Sequence, residues 1–378
     1  MNIIILGPAY PYRGGPATFN NRLALQLASE SHVVKVVTFT LQYPGILFPG
    51  KTQYSEAPAP EGIEISRKLN TINPFNWITT GYKIKRERPD ILIVRYWLPF
   101  MGPSLGTVAR IVRSNKYTKV ICIFDNVIPH EKRTGDKLLT KYFVNSIDGA
   151  IVMSGTVQDE LSSFRSNLAV KLTPHPLFDN YGLPSQNSEA LSALKLDPGY
   201  SYLLFFGFIR AYKGLDLLIE AFSDVRLRNR KLRLIVAGEF YEDRIPYLDL
   251  VNKYNLKDDI IFFDHFIKDS DVSLFFSVAN LIVQPYRSAT QSGVTQIAFH
   301  FEKPILVTDV GGLSEIVTDR KSGYVVKPEP EPIADAILDY FENSRQSQFI
   351  EQVKKEKEKF SWDKMTATIQ EIYRSLKL

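Results

Sequence analysis

Phe205-Phe206-Gly207-Phe208-Ile209-Arg210-Ala211-Tyr212-Lys213-Gly214-Leu215-Asp216 ends an apolar run at residues 202–206 and opens a helical pattern, with Leu215, Leu218, Ile219 and Phe222 at i, i+3, i+4 and i+7. A buried strand, a short loop and an amphipathic helix make one βα unit. The same alternation recurs on both sides of this stretch. Apolar, β-branched runs fall at residues 3–6, 33–39, 91–95, 119–124 and 150–153, and a second series at 202–206, 232–237, 260–263, 281–284 and 305–307. Strands buried on both faces and separated by helices predict parallel sheets. A chain of 378 residues is too long for one ordinary core. The expected fold class is therefore α/β, with two Rossmann-like doubly wound domains divided near residue 180, the second series of strands starting after a loop-like stretch at 174–198. Domains of this kind facing each other would set their strand carboxyl ends, where ligands bind, on either side of a central cleft.

Composition narrows the function classes. The chain is 44% hydrophobic and 23% charged, with 21 Gly and 22 Pro spread along it, which excludes disordered, collagen-like and coiled-coil chains. The single cysteine, Cys122, lies in an apolar run and reads as an inert buried thiol, so a disulfide framework and a Cys-based zinc site are excluded. No run approaches a membrane-spanning length, and the first strand follows Met1 without a basic leader, so a cytoplasmic protein is expected. Charge is uneven: residues 1–180 hold 21 Lys and Arg against 13 Asp and Glu, the remainder 25 against 28. Cations bunch at Lys83, Lys85, Arg86 and Arg88, at Arg110, Arg113, Lys116 and Lys119, and at Lys132, Arg133, Lys137 and Lys141. Solvated helix faces are the plain reading; attraction to an anionic membrane, with the protein peripheral at its inner face, is the functional one. Nucleic acid is disfavoured because no stacking motif accompanies the charge.

Three loops could carry chemistry. Gly7-Pro8-Ala9-Tyr10-Pro11-Tyr12-Arg13-Gly14-Gly15-Pro16 precedes the helix holding Phe19, Leu23 and Leu27. Gly14 and Gly15 let backbone approach a ligand and aim N–H groups at an anion, although an ordinary turn is the competing reading. The dinucleotide fingerprint is not met, which disfavours a nicotinamide enzyme. In the 205–216 loop, Gly207 and Gly214 with Arg210 and Lys213 form a plausible pyrophosphate clamp at a strand end. Gln284-Pro285-Tyr286-Arg287-Ser288-Ala289-Thr290-Gln291-Ser292-Gly293-Val294-Thr295-Gln296 again joins a strand to a helix. Thr290, Ser292, Gly293 and Val294 would offer donors to phosphate, and Gln291 and Gln296 can hydrogen-bond a sugar or ribose.

Taken in order, Gly-Gly-Pro near the start, Phe-Phe-Gly-x-Ile-Arg-x-Tyr-Lys-Gly, Pro-Tyr-Arg-Ser-Ala-Thr-Gln-Ser-Gly-Val and Val-Gly-Gly-Leu-x-Glu resemble the nucleotide-sugar glycosyltransferases of family 4. The similarity extends over nearly the whole chain. It implies a GT-B architecture in which residues 1–180 bind the acceptor, residues 181–359 bind the nucleotide-sugar donor, and a helix within 360–378 crosses back to the first domain. It implies further that Arg210 and Lys213 neutralise the donor diphosphate with no metal and no cofactor beyond the donor itself. Phe240 and Ile267 would lie near the nucleotide. Asp125 occupies the position of the first polar residue of a His-Asn-Val-x-Pro-His-Glu loop, which touches the transferred sugar, and His130 is the second histidine of that loop. The family's paired glutamates fall on Ala289 and Ile297, or on Thr290 and Ala298, and neither frame holds a carboxylate.

The expected activity is retaining transfer of a sugar from a UDP- or GDP-type donor to a hydroxyl acceptor. The basic first domain suggests a lipid-linked or growing surface-polysaccharide glycan as that acceptor. Two rival readings are a non-catalytic nucleotide-sugar-binding protein, motivated by the missing glutamates, and a sugar-nucleotide epimerase of the same architecture.

Overall fold

Runs such as Ile3-Ile4-Ile5-Leu6 form strands because side chains on both faces of a parallel sheet are covered, so no polar alternation is needed. The computed structural model describes residues 1–44, 52–55, 58–129, 133–289 and 292–377. These fall into two units, Met1–His175 with Ser361–Leu378, and Pro176–Phe360. Unit 1 contains β1 (Asn2–Leu6), β2 (Val33–Leu41), β3 (Glu64–Asn70), β4 (Ile91–Tyr96), β5 (Lys119–Phe124), β6 (Gly149–Val152) and β7 (Ala169–Leu172), in the order β3-β2-β1-β4-β5-β6-β7. Unit 2 contains β8 (Ser201–Phe206), β9 (Leu232–Ala237), β10 (Ile260–Phe263), β11 (Ala279–Gln284), β12 (Ile305–Thr308) and β13 (Gly323–Val326), in the order β10-β9-β8-β11-β12-β13. Every neighbouring pair within each sheet is parallel.

Both sheets are doubly wound, and each reverses direction once, between β1 and β4 and between β8 and β11. At such a reversal the loops leaving neighbouring strands diverge to opposite faces and open a crevice at the strand carboxyl ends. The loops beginning at Gly7 and Gly207 therefore start at the two reversal points, as do the segments after Tyr96 and Gln284.

Three strands escape the apolar-run pattern. β3 is an edge strand reading Glu-Ile-Ser-Arg-Lys-Leu-Asn, mostly half-buried with Glu64 and Arg67 exposed, and β7 and β13 are also edges. An edge needs no apolar residues on its free side, and charge there discourages pairing with other chains. Residues 174–198 are not all loop: Asn187–Ala193 is a helix, and just before it the Ser185 N–H donates to Ser277 Oγ at 3.0 Å.

The helix Trp362–Ser375 belongs to unit 1. Its start is capped by Ser361, whose side chain accepts from the Lys364 N–H. Trp362 packs on Phe19 with centroids 4.9 Å apart, and Thr366 Oγ1 donates to Glu30 Oε1 at 2.6 Å. Trp362, Met365, Ile369 and Ile372 are buried, and full burial of such side chains contributes roughly 1.5–3 kcal/mol each.

Candidate functional site

The site in unit 2 is assembled from the loops that follow β8 and β11. After Phe206 the backbone turns at Gly207, where φ is 97° and the N–H donates to the Ala237 carbonyl at 2.9 Å. Only glycine adopts this conformation without strain. A single 3-10 turn, Ala211–Lys213, then carries Lys213 inward, and Gly214 at φ 66° ends it. A Cβ on Gly214 would lie 2.0 Å from the Pro285 carbonyl oxygen, so the two loops touch there through backbone. The Arg287 N–H donates to the Tyr212 carbonyl at 2.7 Å, and the Arg287 guanidinium pairs with Asp216.

Lys213 is the residue around which these loops converge. It is 9% exposed, and among the described residues its ammonium has no carboxylate or hydrogen-bond acceptor, only the Tyr286 ring with its centroid 5.6 Å away. A Cβ on Gly207 would stand 3.2 Å from Lys213 Nζ and 3.6 Å from Val294 Cγ2, so Gly207, Lys213 and Val294 meet around one point. Burial pushes the Lys213 ammonium below its ordinary 10.5, helped by the charge of Arg210 and opposed by Tyr212. A cation held this way has an unmet demand for an anion. Arg210 Cζ lies 5.4 Å from the Tyr241 ring centroid. Tyr241 in turn packs on Phe208 at 4.3 Å, so Phe208 supports the aromatic shelf beneath Arg210.

Behind Lys213, the sequence reading missed Gln284 as a functional position. It is 1% exposed; its Nε2 donates to Ser292 Oγ at 2.7 Å and to the Tyr286 hydroxyl at 3.1 Å, and its Oε1 accepts from Thr295 Oγ1 at 2.7 Å. Ser292 also caps the helix Gly293–His300 by accepting from the Val294 N–H at 3.2 Å. One buried carboxamide thus ties Tyr286, Ser292 and Thr295 together. A polar residue closing an apolar strand just before proline was the available signal. The other expected residues are dispersed. Gly293 is overlaid by Phe178, whose Cε2 would be 2.6 Å from an added Cβ. Gln296 is fully buried, with neither amide atom hydrogen-bonded among the described residues. Phe240 packs against Tyr247 and Phe262, and Ile267 is buried.

In unit 1, Gly14 at φ 105° precedes the helix Gly15–Ser29, which has no side-chain cap. Among the described residues a Cβ on Gly14 or Gly15 would meet nothing within 4 Å. Asp125 follows β5 and forms a two-point ion pair with Arg95, which the sequence reading had placed only as a strand residue. His130, Thr290 and Gln291 lie outside the described residues.

These geometries can now be set beside known proteins. Residues 187–356, all within unit 2, match the family described as glycosyl transferases group 1. An uncharacterized glycosyltransferase of Methanocaldococcus jannaschii is 25% identical over 385 aligned positions, covering 100% of this chain and 99% of that protein. The alpha-monoglucosyldiacylglycerol synthase of Streptococcus pneumoniae is 26% identical over 212 residues, covering 54% of this chain and 46% of that protein, so the chain spans about half of that relative. Anabaena HepE, solved in complex with UDP, superposes with a TM-score of 0.75 at 14% identity, over 99% of this chain and 100% of that one. The fold is that of the GT-B glycosyltransferases.

Proposed function

We propose that this chain is a glycosyltransferase that moves a sugar from a nucleoside diphosphate sugar to a hydroxyl acceptor, with the donor diphosphate seated on Lys213 and Arg210. The observation that carries this reading is the buried ammonium of Lys213 with no anionic partner among the described residues, at the strand-order reversal of the unit that matches glycosyl transferases group 1. An anion of a bound substrate is what such a cation lacks. The full-length relative named as a glycosyltransferase and the UDP complex of a structural neighbour support the same chemistry.

In this reading Arg210, Lys213 and the N–H group of Gly293 stabilise charge that grows on the leaving diphosphate as the glycosidic C–O bond breaks. Two side-chain cations serve where a metal would otherwise be needed. The anomeric configuration is retained, and the departing phosphate takes the acceptor proton. Unit 1 holds the acceptor, which we take to be a lipid-linked or surface-polysaccharide glycan at an anionic membrane. Supporting this are the exposed side chains Phe75, Ile78 and Tyr82 on the helix Pro74–Glu87, alongside Lys83, Lys85 and Arg86. A relative named alpha-monoglucosyldiacylglycerol synthase agrees with a lipid acceptor. No helix among the described residues is long and apolar enough to cross a membrane.

The test is a thermal-shift panel of UDP-, GDP- and ADP-sugars against the wild type and Arg210→Ala with Lys213→Ala. A donor that raises the melting temperature of the wild type alone supports the reading; no stabilisation at millimolar concentrations refutes it.

A further inference from the structure

Lys213 and Lys303 of unit 2 both lose water on folding, and the fold replaces it in different ways. Lys303 Nζ donates to the Ser277 and Ala279 carbonyls, each at 3.0 Å. Lys213 Nζ has no such oxygen among the described residues; it lies over the Tyr286 ring, 5.6 Å from the centroid. A carbonyl that holds an ammonium has to give up its hydrogen bond before an anion can take its place. An aromatic face attracts a cation through its quadrupole and offers no competing oxygen, so the ammonium stays open to an incoming phosphate. The ring returns part of the lost hydration, not the whole.

Tyr286 is 3% exposed and is held at both ends of the residue. Gln284, which closes β11, donates through Nε2 to its hydroxyl at 3.1 Å. Thr308, which closes the neighbouring β12, donates through Oγ1 to its carbonyl. The rings of Tyr212 and Tyr286 meet in a T, with centroids 6.1 Å apart and planes at 84°. Anchored in this way, the Tyr286 ring keeps one orientation beside Lys213. The lysine stem is the opposite case: four flexible carbons that, without a contact at the tip, would spread the ammonium over many positions. Gly207 leaves room for that tip, since a Cβ there would stand 3.2 Å from Nζ.

We propose that Tyr286 is a positioning residue whose ring, held by Gln284 and Thr308, keeps the Lys213 ammonium in place for the donor diphosphate. This rests on the reading of the chain as a glycosyltransferase that seats the diphosphate on Lys213. The benefit is preorganisation, because the side chain is ordered before the ligand arrives.

The experiment titrates the full chain with UDP, GDP and ADP by calorimetry and follows the nucleotide that the wild type binds most tightly. Tyr286→Leu, Tyr286→Met and Tyr286→Phe are compared in the wild-type background and in the Lys213→Met background, with melting temperatures to establish folding. Two ringless side chains are used because the flexible methionine fills a gap that the branched leucine does not. Losing the ring weakens Kd about tenfold, whereas Tyr286→Phe, which keeps it, stays within about threefold of the wild type. In the Lys213→Met background the same deletions change Kd by less than about twofold, because the group they act through is gone. A merely structural role would weaken binding equally in both backgrounds. Wild-type affinity in a ringless variant, an equal loss in both backgrounds, or a loss in Tyr286→Phe as large as in Tyr286→Leu overturns this proposal alone. A wild type that binds none of the three nucleotides overturns the functional reading and this proposal with it.

Discussion

Replacing Lys213 by methionine should make the free protein more stable and its complex less so. The ammonium is 9% exposed and has no anionic partner among the described residues, so the fold bears an uncompensated desolvation cost. Methionine matches the length of the aliphatic stem without the ammonium and removes that cost. A gain of about 2 kcal/mol is expected from the several kcal/mol carried by a buried ion, reduced for residual solvent contact. For a domain the size of unit 2, residues 176–360, that is roughly 4–8 °C in Tm. Binding moves the other way, because a hydrogen bond to a charged group is worth about 1.5–3 kcal/mol, or roughly 30-fold in Kd. At a nucleotide concentration 100 times the wild-type Kd, stabilisation should fall from about 2.7 to about 0.9 kcal/mol.

The pH dependence carries the same sign. The folded-state pKa of Lys213 lies below its unfolded value of 10.5, so the unfolded chain holds more protons between the two. Stability therefore rises with pH through that window, and the advantage of the variant shrinks as pH approaches 10.5. Lys303, lowered by burial to about 8, titrates there too, but it is present in both proteins and cancels in the difference. Scanning fluorimetry with UDP, GDP and ADP from pH 7 to 10 makes the measurement. A variant that melts below the wild type without ligand, or is stabilised equally by nucleotide, refutes the reasoning.

Gly207→Ala forces a side chain into φ 97° and places its Cβ 3.2 Å from Lys213 Nζ; a loss of roughly 1–2 kcal/mol in stability and a weaker nucleotide-induced shift should appear in the same assay. Gln284→Leu strands the hydroxyls of Ser292, Tyr286 and Thr295, so chemical denaturation should report about 3 kcal/mol of destabilisation. On the helix Pro74–Glu87, Phe75→Ser with Ile78→Ser should abolish sedimentation with vesicles containing anionic lipid while leaving Tm within about 1 °C, because Phe75 is 81% exposed and Ile78 is 43% exposed. Lys85→Gln with Arg86→Gln should weaken the same binding by about 1 kcal/mol per charge and reduce its salt dependence. Vesicle binding that is indifferent to both pairs would place the membrane contact elsewhere.

Much of the fold is legible in the sequence because buried parallel strands are written as apolar runs, and ten of them stand between helical patterns. The strands β3, β7 and β13 are not: β3 is an edge rich in charged and polar residues and β7 is broken by Lys171, while β13 is only four residues long. The loops that could meet a phosphate are also legible: glycines with positive φ and cations just past a strand are local features, and Gly207, Arg210, Lys213 and Gly214 are read from twelve consecutive residues. Which of those cations is stripped of water is not local. Lys213 and Arg210 look alike in the sequence, and only the approach of Pro285, Tyr286 and Val294 from a distant loop buries one ammonium with no anion beside it among the described residues. Arg95 and Asp125, thirty residues apart, reveal nothing as a pair until adjacent parallel strands put their ends side by side. Burial and pairing depend on what surrounds a side chain from every direction, and the chain order specifies only the neighbours along one.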